Sequence, residues 1–271
     1  MSARPSEGPL GVFDSGIGGL TVVQAIAELL PGERVVYLGD TARVPYGNKS
    51  PETVTRFARQ DAAFLLGRGV KAVVVACNTA TAFALPVLAA EMTVPVIGVL
   101  EPGVEAALAR TRNGRIGLIG TAGTIGSEAY QRAIASRRPD AHLVARPTPL
   151  LVPLVEEGWL EHQVTRQVIE EYVGPMLREG IDTLVLACTH YPLLKPLLRQ
   201  VAGPDVALVD SATTCAAHLG RRLATLGLDA PQKDVGGIEI FLTDRPAQFE
   251  RVARRFLTVP IHRIDVVALP E

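Results

Sequence analysis

The sequence is poor in cysteine, with three among 271 residues. Three scattered cysteines exclude a disulfide framework and fit a reducing compartment, so a cytoplasmic location is expected. A charge excess of either sign is also missing, because 27 lysines and arginines face 28 aspartates and glutamates. That balance leaves no electrostatic footprint for nucleic acid or an anionic membrane, and neither is expected as a partner. The N-terminal stretch MSARPSEGPL has no apolar h-region, so it does not read as a signal peptide. The uncharged run from Ala72 to Ala90 is long enough to cross a bilayer, yet Asn78, Thr79, Thr81 and Pro86 interrupt it. A strand, a polar turn and a short helix account for it better. No two short Cys/His pairs occur together as a structural zinc site needs. The glycine fingerprint of dinucleotide folds is incomplete, since Thr21 stands where DSGIGG needs a further glycine. No lysine ends a candidate strand in the manner of a pyridoxal site. We expect neither a metal nor an organic cofactor.

What is present is apolar and regularly spaced. The chain is 48% hydrophobic, ample for a packed core. Short β-rich runs read as strands at 10–14, 34–38, 71–76, 94–99, 115–120, 142–146, 183–187, 206–210, 238–242 and 261–267. Helical stretches lie between them, among them Leu20–Leu30, Ser50–Leu66, Ser127–Arg137, Leu160–Glu179 and Ala212–Leu226. Ser50 followed by Pro51 suits a helix start, with a serine cap and proline at the first helical position. This alternation implies an α/β fold with mainly parallel sheets.

The chain also echoes itself. VVVACNTA (73–80) and LVLACTHY (184–191) each run from an aliphatic strand into a cysteine and small polar residues. Asp14-Ser15 matches Gly120-Thr121, and PVIGV matches VALVD, at nearly the same offset as Cys77 and Cys188. We therefore expect two similar domains facing each other across a central cleft. The first would be 1–100, with 211–271 returning to it, and the second 101–210. Ligands of open parallel sheets bind beyond the carboxyl ends of strands. Cys77, Cys188, Asp14, Ser15, Asp40, Thr121 and Asp210 all lie at such ends.

Each candidate has a plainer reading. A free cysteine is commonly a small buried hydrophobe, as Cys215 is read here. Two cysteines in matched positions, each before a helix, argue instead for function, because a helix N-terminus favours thiolate. Cys188-x-His190 could supply two metal ligands but no second pair completes a site. His190 in the turn after Cys188 is a natural proton partner near neutral pH. Glu156 and Glu157 lie in PLVEEGW. A solvated helix end suits Glu157, and the pattern gives no preference for Glu156. The amides of DSGIGG at a helix start suit a carboxylate, while Asp14 itself would face an ammonium or a thiol.

Taken together, FDSGIGG (13–19), PYG (45–47), ACNTA (76–80), GTAGTI (120–125), PLVEEG (153–158) and ACTHYP (187–192) resemble the glutamate racemases. These belong to the cofactor-independent aspartate/glutamate racemase superfamily, and the resemblance covers residues 10–265. The histidine of CTHYP resembles the glutamate enzymes, where aspartate racemases tend to carry glutamate. The resemblance implies L- and D-glutamate as substrate and supply of D-glutamate for peptidoglycan. It implies Cys77 and Cys188 as the two bases, acting on the D and the L enantiomer respectively. Asp14 would assist Cys77, and His190 with Glu156 would assist Cys188. Ser15, Pro45, Tyr46, Gly47, Asn78, Thr79, Thr121 and Thr189 would hold the substrate. A homodimer is compatible with this reading. The chemistry accounts for the echo independently, since inverting a stereocentre by proton transfer needs a base on one face and an acid on the other.

Overall fold

The computed structural model describes residues 7–230, 236–245 and 249–269. The first six residues of the N-terminal segment read above lie outside the described residues. Among the described residues there are ten strands and eleven α-helices. In chain order they are β1 (Leu10–Asp14), α1 (Leu20–Leu29), β2 (Val35–Gly39), α2 (Pro51–Leu66), β3 (Ala72–Val75), α3 (Asn78–Glu91), β4 (Val96–Gly98) and α4 (Leu100–Arg110). There follow β5 (Arg115–Gly120), α5 (Ala122–Gly126), α6 (Ala129–Arg137), β6 (His142–Pro147), α7 (Leu151–Glu157), α8 (Gln163–Arg178) and β7 (Thr183–Ala187). The chain closes with α9 (Lys195–Ala202), β8 (Ala207–Asp210), α10 (Ser211–Leu226), β9 (Ile238–Leu242), α11 (Phe249–Phe256) and β10 (Arg263–Val266).

The strands form two wholly parallel sheets, in the orders β10-β9-β2-β1-β3-β4 and β6-β5-β7-β8. The order β2-β1-β3-β4 within the first repeats as β6-β5-β7-β8 in the second. The echo read in the sequence is thus a repeated topology. β1 and β3 are fully buried, as expected for central parallel strands covered on both faces by helices. Burying each of their valine and leucine side chains contributes roughly 1.5–3 kcal/mol. β9 pairs with β2, Val35 opposite Ile238, which returns the chain's last stretch to the first sheet. α10 packs on both α1 and α4.

Ser50 caps α2 as expected, its hydroxyl accepting the Thr53 N–H at 3.3 Å. Two local expectations change. No polar turn separates β3 from the next helix, because Cys77 is itself the N-cap and Asn78 and Thr79 are already helical. That helix runs through Pro86 to Glu91 rather than being short. The stretch expected to start a single helix at Ser127 instead joins two, α5 and α6. Glu128 between them adopts the left-handed conformation, at φ 55°.

Candidate active site

Strand pairing delivers matching residues to the two walls of one cleft. β1 lies beside β3, and the Ala76 N–H donates to Phe13 O at 2.9 Å, which sets Asp14 and Ser15 next to Cys77. β5 lies beside β7 with Gly120 opposite Ala187, which sets Thr121 next to Cys188. The cleft between these strand ends is narrow, with a cavity of about 40 Å³. Ser15, Pro45, Tyr46, Gly47, Cys77, Asn78, Thr79, Thr121, Cys188, Thr189 and His190 all line it, with Val44, Val152 and Ala187. Asp14 and Glu156 do not line it; Asp14 holds the Gly16 and Gly19 amides behind Ser15, and Glu156 bonds the lining His190.

The walls approach closely where glycine allows it. A Cβ on Gly18 would lie 2.4 Å from Thr189 Oγ1 and 2.5 Å from the His190 ring. A Cβ on Gly47 would lie 2.7 Å from the Thr121 Cβ. The hydroxyls of Thr79, Thr121 and Thr124 form a triangle across the cleft, with sides of 2.8, 3.0 and 2.9 Å. Thr21, which breaks the dinucleotide fingerprint, donates its hydroxyl to Thr189 O at 2.9 Å and so ties α1 to the second sheet's loop.

The two thiols are buried in unlike surroundings. Cys77 Sγ accepts the Ala80 N–H at 3.5 Å and lies 3.8 Å from Ser15 Oγ. Its place at a helix start leads one to expect a lowered pKa. Instead burial, followed by the Asp14 carboxylate, outweighs the Ala80 bond and pushes the thiol up to about 12. Cys188 Sγ lies 3.9 Å from His190 Nδ1, and His190 Nε2 lies 3.0 Å from Glu156 Oε1. Burial pulls the imidazole down, yet the bonds to Cys188 and Glu156 prevail and raise it to about 10. One thiol therefore faces a carboxylate, and the other faces an imidazolium.

Asp14 is buried, which raises its pKa against the pull of His190 and three amides. The Gly16 and Gly19 N–H groups donate to its Oδ2 at 3.2 and 3.0 Å. The α1 amides expected to receive an external carboxylate are thus taken by the chain's own. Asp14 Oδ1 has no hydrogen-bond partner among the described residues. Asn78 lines the cleft, but both ends of its amide are engaged away from it. Its Nδ2 donates to Ser211 Oγ at 3.1 Å, and Tyr130 OH donates to its Oδ1 at 2.8 Å. Tyr46 likewise directs its phenol to Asp40 and Asp61. For Tyr46 and Asn78, what remains for a ligand is backbone and ring rather than the polar tip.

Three participants escaped the sequence reading. Arg43 and Asp61 hold Tyr46 from behind. Arg255 of α11 donates to Glu156 O at 2.7 Å and so supports the carboxylate that bonds His190. A signal existed for Asp61 alone, as a charged residue set among Val54, Ala58, Ala62 and Leu65 on the buried stripe of α2.

Cys215 lies in α10, fully buried, its thiol pushed up to about 12 by burial alone, which suits a packing role. Among the described residues no cluster of His, Cys, Asp and Glu is arranged to hold a metal ion. No helix among them is long and apolar enough to cross a membrane.

The sequence profile of the Asp/Glu/Hydantoin racemase family matches residues 10–219. A glutamate racemase of Neisseria meningitidis is 50% identical over 262 residues, covering 96% of this chain and 97% of that protein. The solved structure of a glutamate racemase isoform from Bacillus anthracis superposes with a TM-score of 0.93 at 38% identity, covering 98% of this chain and 99% of its own. That of a Francisella tularensis glutamate racemase in complex with D-glutamate superposes with a TM-score of 0.90 at 35% identity, covering 97% and 98%.

Proposed function

Because the chain belongs to the Asp/Glu/Hydantoin racemase family, we propose that it interconverts L- and D-glutamate by proton transfer between two thiols. The observation that carries this is the repeated topology, which brings Cys77 and Cys188 from equivalent strand ends to one cleft. In the L-to-D direction Cys188 as thiolate removes the α-proton. The S–H bond forms as the Cα–H bond breaks, and the electron pair remains on the α-carbon and its carboxylate. Cys77 then gives its proton to the opposite face and is left as thiolate. The reverse direction exchanges the two roles.

The unlike surroundings support a division of labour. A cation beside a sulfur favours thiolate, and His190 is that cation next to Cys188. Cys77, raised to about 12, rests as the thiol that donates. A substrate ammonium on the Cys77 side of the cleft brings positive charge there, favoured by the Asp14 carboxylate buried behind, and eases the later ionisation of Cys77. Ser15, Thr79, Thr121 and Thr189 offer hydroxyls and Gly47 and Asn78 backbone groups for the carboxylates, where a preorganised dry site stabilises developing charge. Pro45 and Tyr46 shape the wall beside them.

The reading takes the chain as two units, 1–100 with 211–271, and 101–210. The β9–β2 pairing supports it. The wider reading is a cofactor-independent enzyme in the cytoplasm, with a homodimer allowed, that supplies D-glutamate for peptidoglycan. Purified protein incubated with each enantiomer, then followed by circular dichroism and chiral chromatography, tests the activity. Decay of either signal to zero is expected, before and after dialysis against a chelator with reductant. Equal kcat/KM for glutamate and aspartate, or no decay at all, overturns the proposal.

A further inference from the structure

Behind the Pro45–Tyr46–Gly47 wall lies a buried cluster with one proton too few for its contacts. Asp40 follows β2 and Asp61 sits on the inner stripe of α2, both wholly buried. Tyr46 Oη lies between them, 2.8 Å from Asp61 Oδ2 and in hydrogen-bond contact with Asp40 Oδ2. A phenol carries one proton and cannot donate to two carboxylates at once. If both acids were ionised, one contact would set oxygen lone pairs against each other in a dry site.

The remaining partners separate the two acids. Arg43 Nε reaches both oxygens of Asp40, at 2.9 and 2.7 Å, and Thr243 OH donates to Asp40 Oδ1 at 3.0 Å. Arg43 Nη2 gives Asp61 Oδ1 a single bond at 3.0 Å. Asp40 thus collects donors, whereas Asp61 meets one guanidinium N–H and the phenol. Burial, then the Asp40 charge, pushes Asp61 well above the usual carboxylate range, against the pull of the Tyr46 contact and of Arg43 and with Asp14 adding to the push. Burial also raises the Tyr46 phenol far above its ordinary value, so Tyr46 does not surrender its proton.

We propose that Asp61 is a neutral carboxylic acid whose O–H donates to Tyr46 Oη, while Tyr46 donates to an ionised Asp40, and that this chain fixes the Pro45–Tyr46–Gly47 wall. Asp61 is a positioning residue that acts through Tyr46. The wall has little freedom to shift, since Gly47 already packs against Thr121 of the opposite sheet. The effect on turnover rests on the racemase reading, whereas the protonation of Asp61 does not.

Two measurements test this. Infrared difference spectra of wild type and D61N in heavy water at neutral pH report the acid directly. A protonated-carboxyl stretch is expected in wild type and missing from D61N, whatever reaction the enzyme performs. In glutamate turnover, D61N keeps a donor towards Tyr46 through Nδ2 and an acceptor towards Arg43 through Oδ1. Its kcat and KM are expected within about two-fold of wild type. D40N points an amide N–H at donors and is expected to raise KM by about ten-fold or more. D61L, which removes the donor, should raise KM similarly with a smaller change in kcat. Absence of the acid band difference, or D61N impaired as badly as D40N, overturns the proposal. Should D61L fail to fold, D61N and its spectrum still decide. Should no variant or wild type turn over glutamate, the spectrum alone decides.

Discussion

His190 bridges Cys188 and Glu156, its Nδ1 3.9 Å from the thiol sulfur and its Nε2 3.0 Å from the carboxylate. The pair holds the imidazole protonated to about pH 10. A raised histidine pKa means that the cationic form, and whatever it supports, is complete at neutral pH and fades as pH rises through the folded value. Removing the carboxylate's charge lowers that value. In E156Q the alkaline limb of kcat/KM is therefore expected to move to lower pH, with a loss of about ten-fold or more above neutrality. An unmoved limb in the pH–rate profile would separate Glu156 from the imidazolium.

Arg255 holds that same carboxylate's backbone from another part of the chain. Its Nη1 donates to Glu156 O at 2.7 Å and reaches Val155 O at 3.5 Å, capping the end of α7. Gly158, at φ 81°, leaves room for the guanidinium, where a Cβ would come within 2.3 Å. The next residue, Phe256, sets its ring edge-on to His190 at 5.4 Å. R255A is expected to cost about 1 kcal/mol in stability and to shift the alkaline limb in the direction seen for E156Q. R255K should recover part of both. A stability loss with an unchanged pH profile would reduce Arg255 to a structural cap.

The two thiols need a test that respects the equilibrium. L- and D-glutamate have equal free energies, so kcat/KM must be the same in both directions for any variant. Damage to one side therefore shows in exchange rather than in direction. C77S and C188S are each expected to lose about 1000-fold in racemisation, because a serine hydroxyl is a far weaker base. In heavy water C188S should still place deuterium on D-glutamate, and C77S on L-glutamate, without inverting either. The remaining thiolate takes the proton, exchanges it with solvent and returns deuterium to the same face. The C215A control should match wild type. Near-normal racemisation by either serine variant would end the two-thiol account.

The sheets and the paired cysteines were legible because they rest on local pattern. β1, β3, β5 and β7 are mostly apolar runs with polar residues only at their ends, and the repeat of VVVAC in LVLAC marks equivalent strand ends. Element starts were less legible where one residue serves two purposes. Cys77 is at once strand exit, helix cap and candidate base, so Asn78 and Thr79 read as a turn. The residues behind the cleft were hidden for a different reason. Arg255 meets Glu156 only after β9 has paired with β2 and carried the chain's end back. No spacing in the sequence encodes that contact. Asp61 did leave a trace as a charge on an apolar stripe, but its partner Tyr46 is set by the fold of the loop.

Gly18 lies close against Thr189 and His190 of the opposite loop, and its lack of a side chain is a condition of the closed cleft. A methyl group there would sit 2.4 Å from Thr189 Oγ1 and 2.5 Å from His190 Cε1 and Nδ1. The Thr189 hydroxyl can rotate away, but its backbone is tied to Thr21 and the His190 ring is held by Glu156. In G18A the walls must part or His190 must turn from Cys188. Misplacement of reacting groups by about 1 Å costs about 100-fold in rate. G18A is therefore expected to lose that much in kcat/KM. Gly126, where an added Cβ meets nothing within 4 Å, is the matched control, and G126A should stay within about two-fold of wild type. Full activity in G18A, measured beside its melting curve, would show that the cleft works without this approach of the two loops.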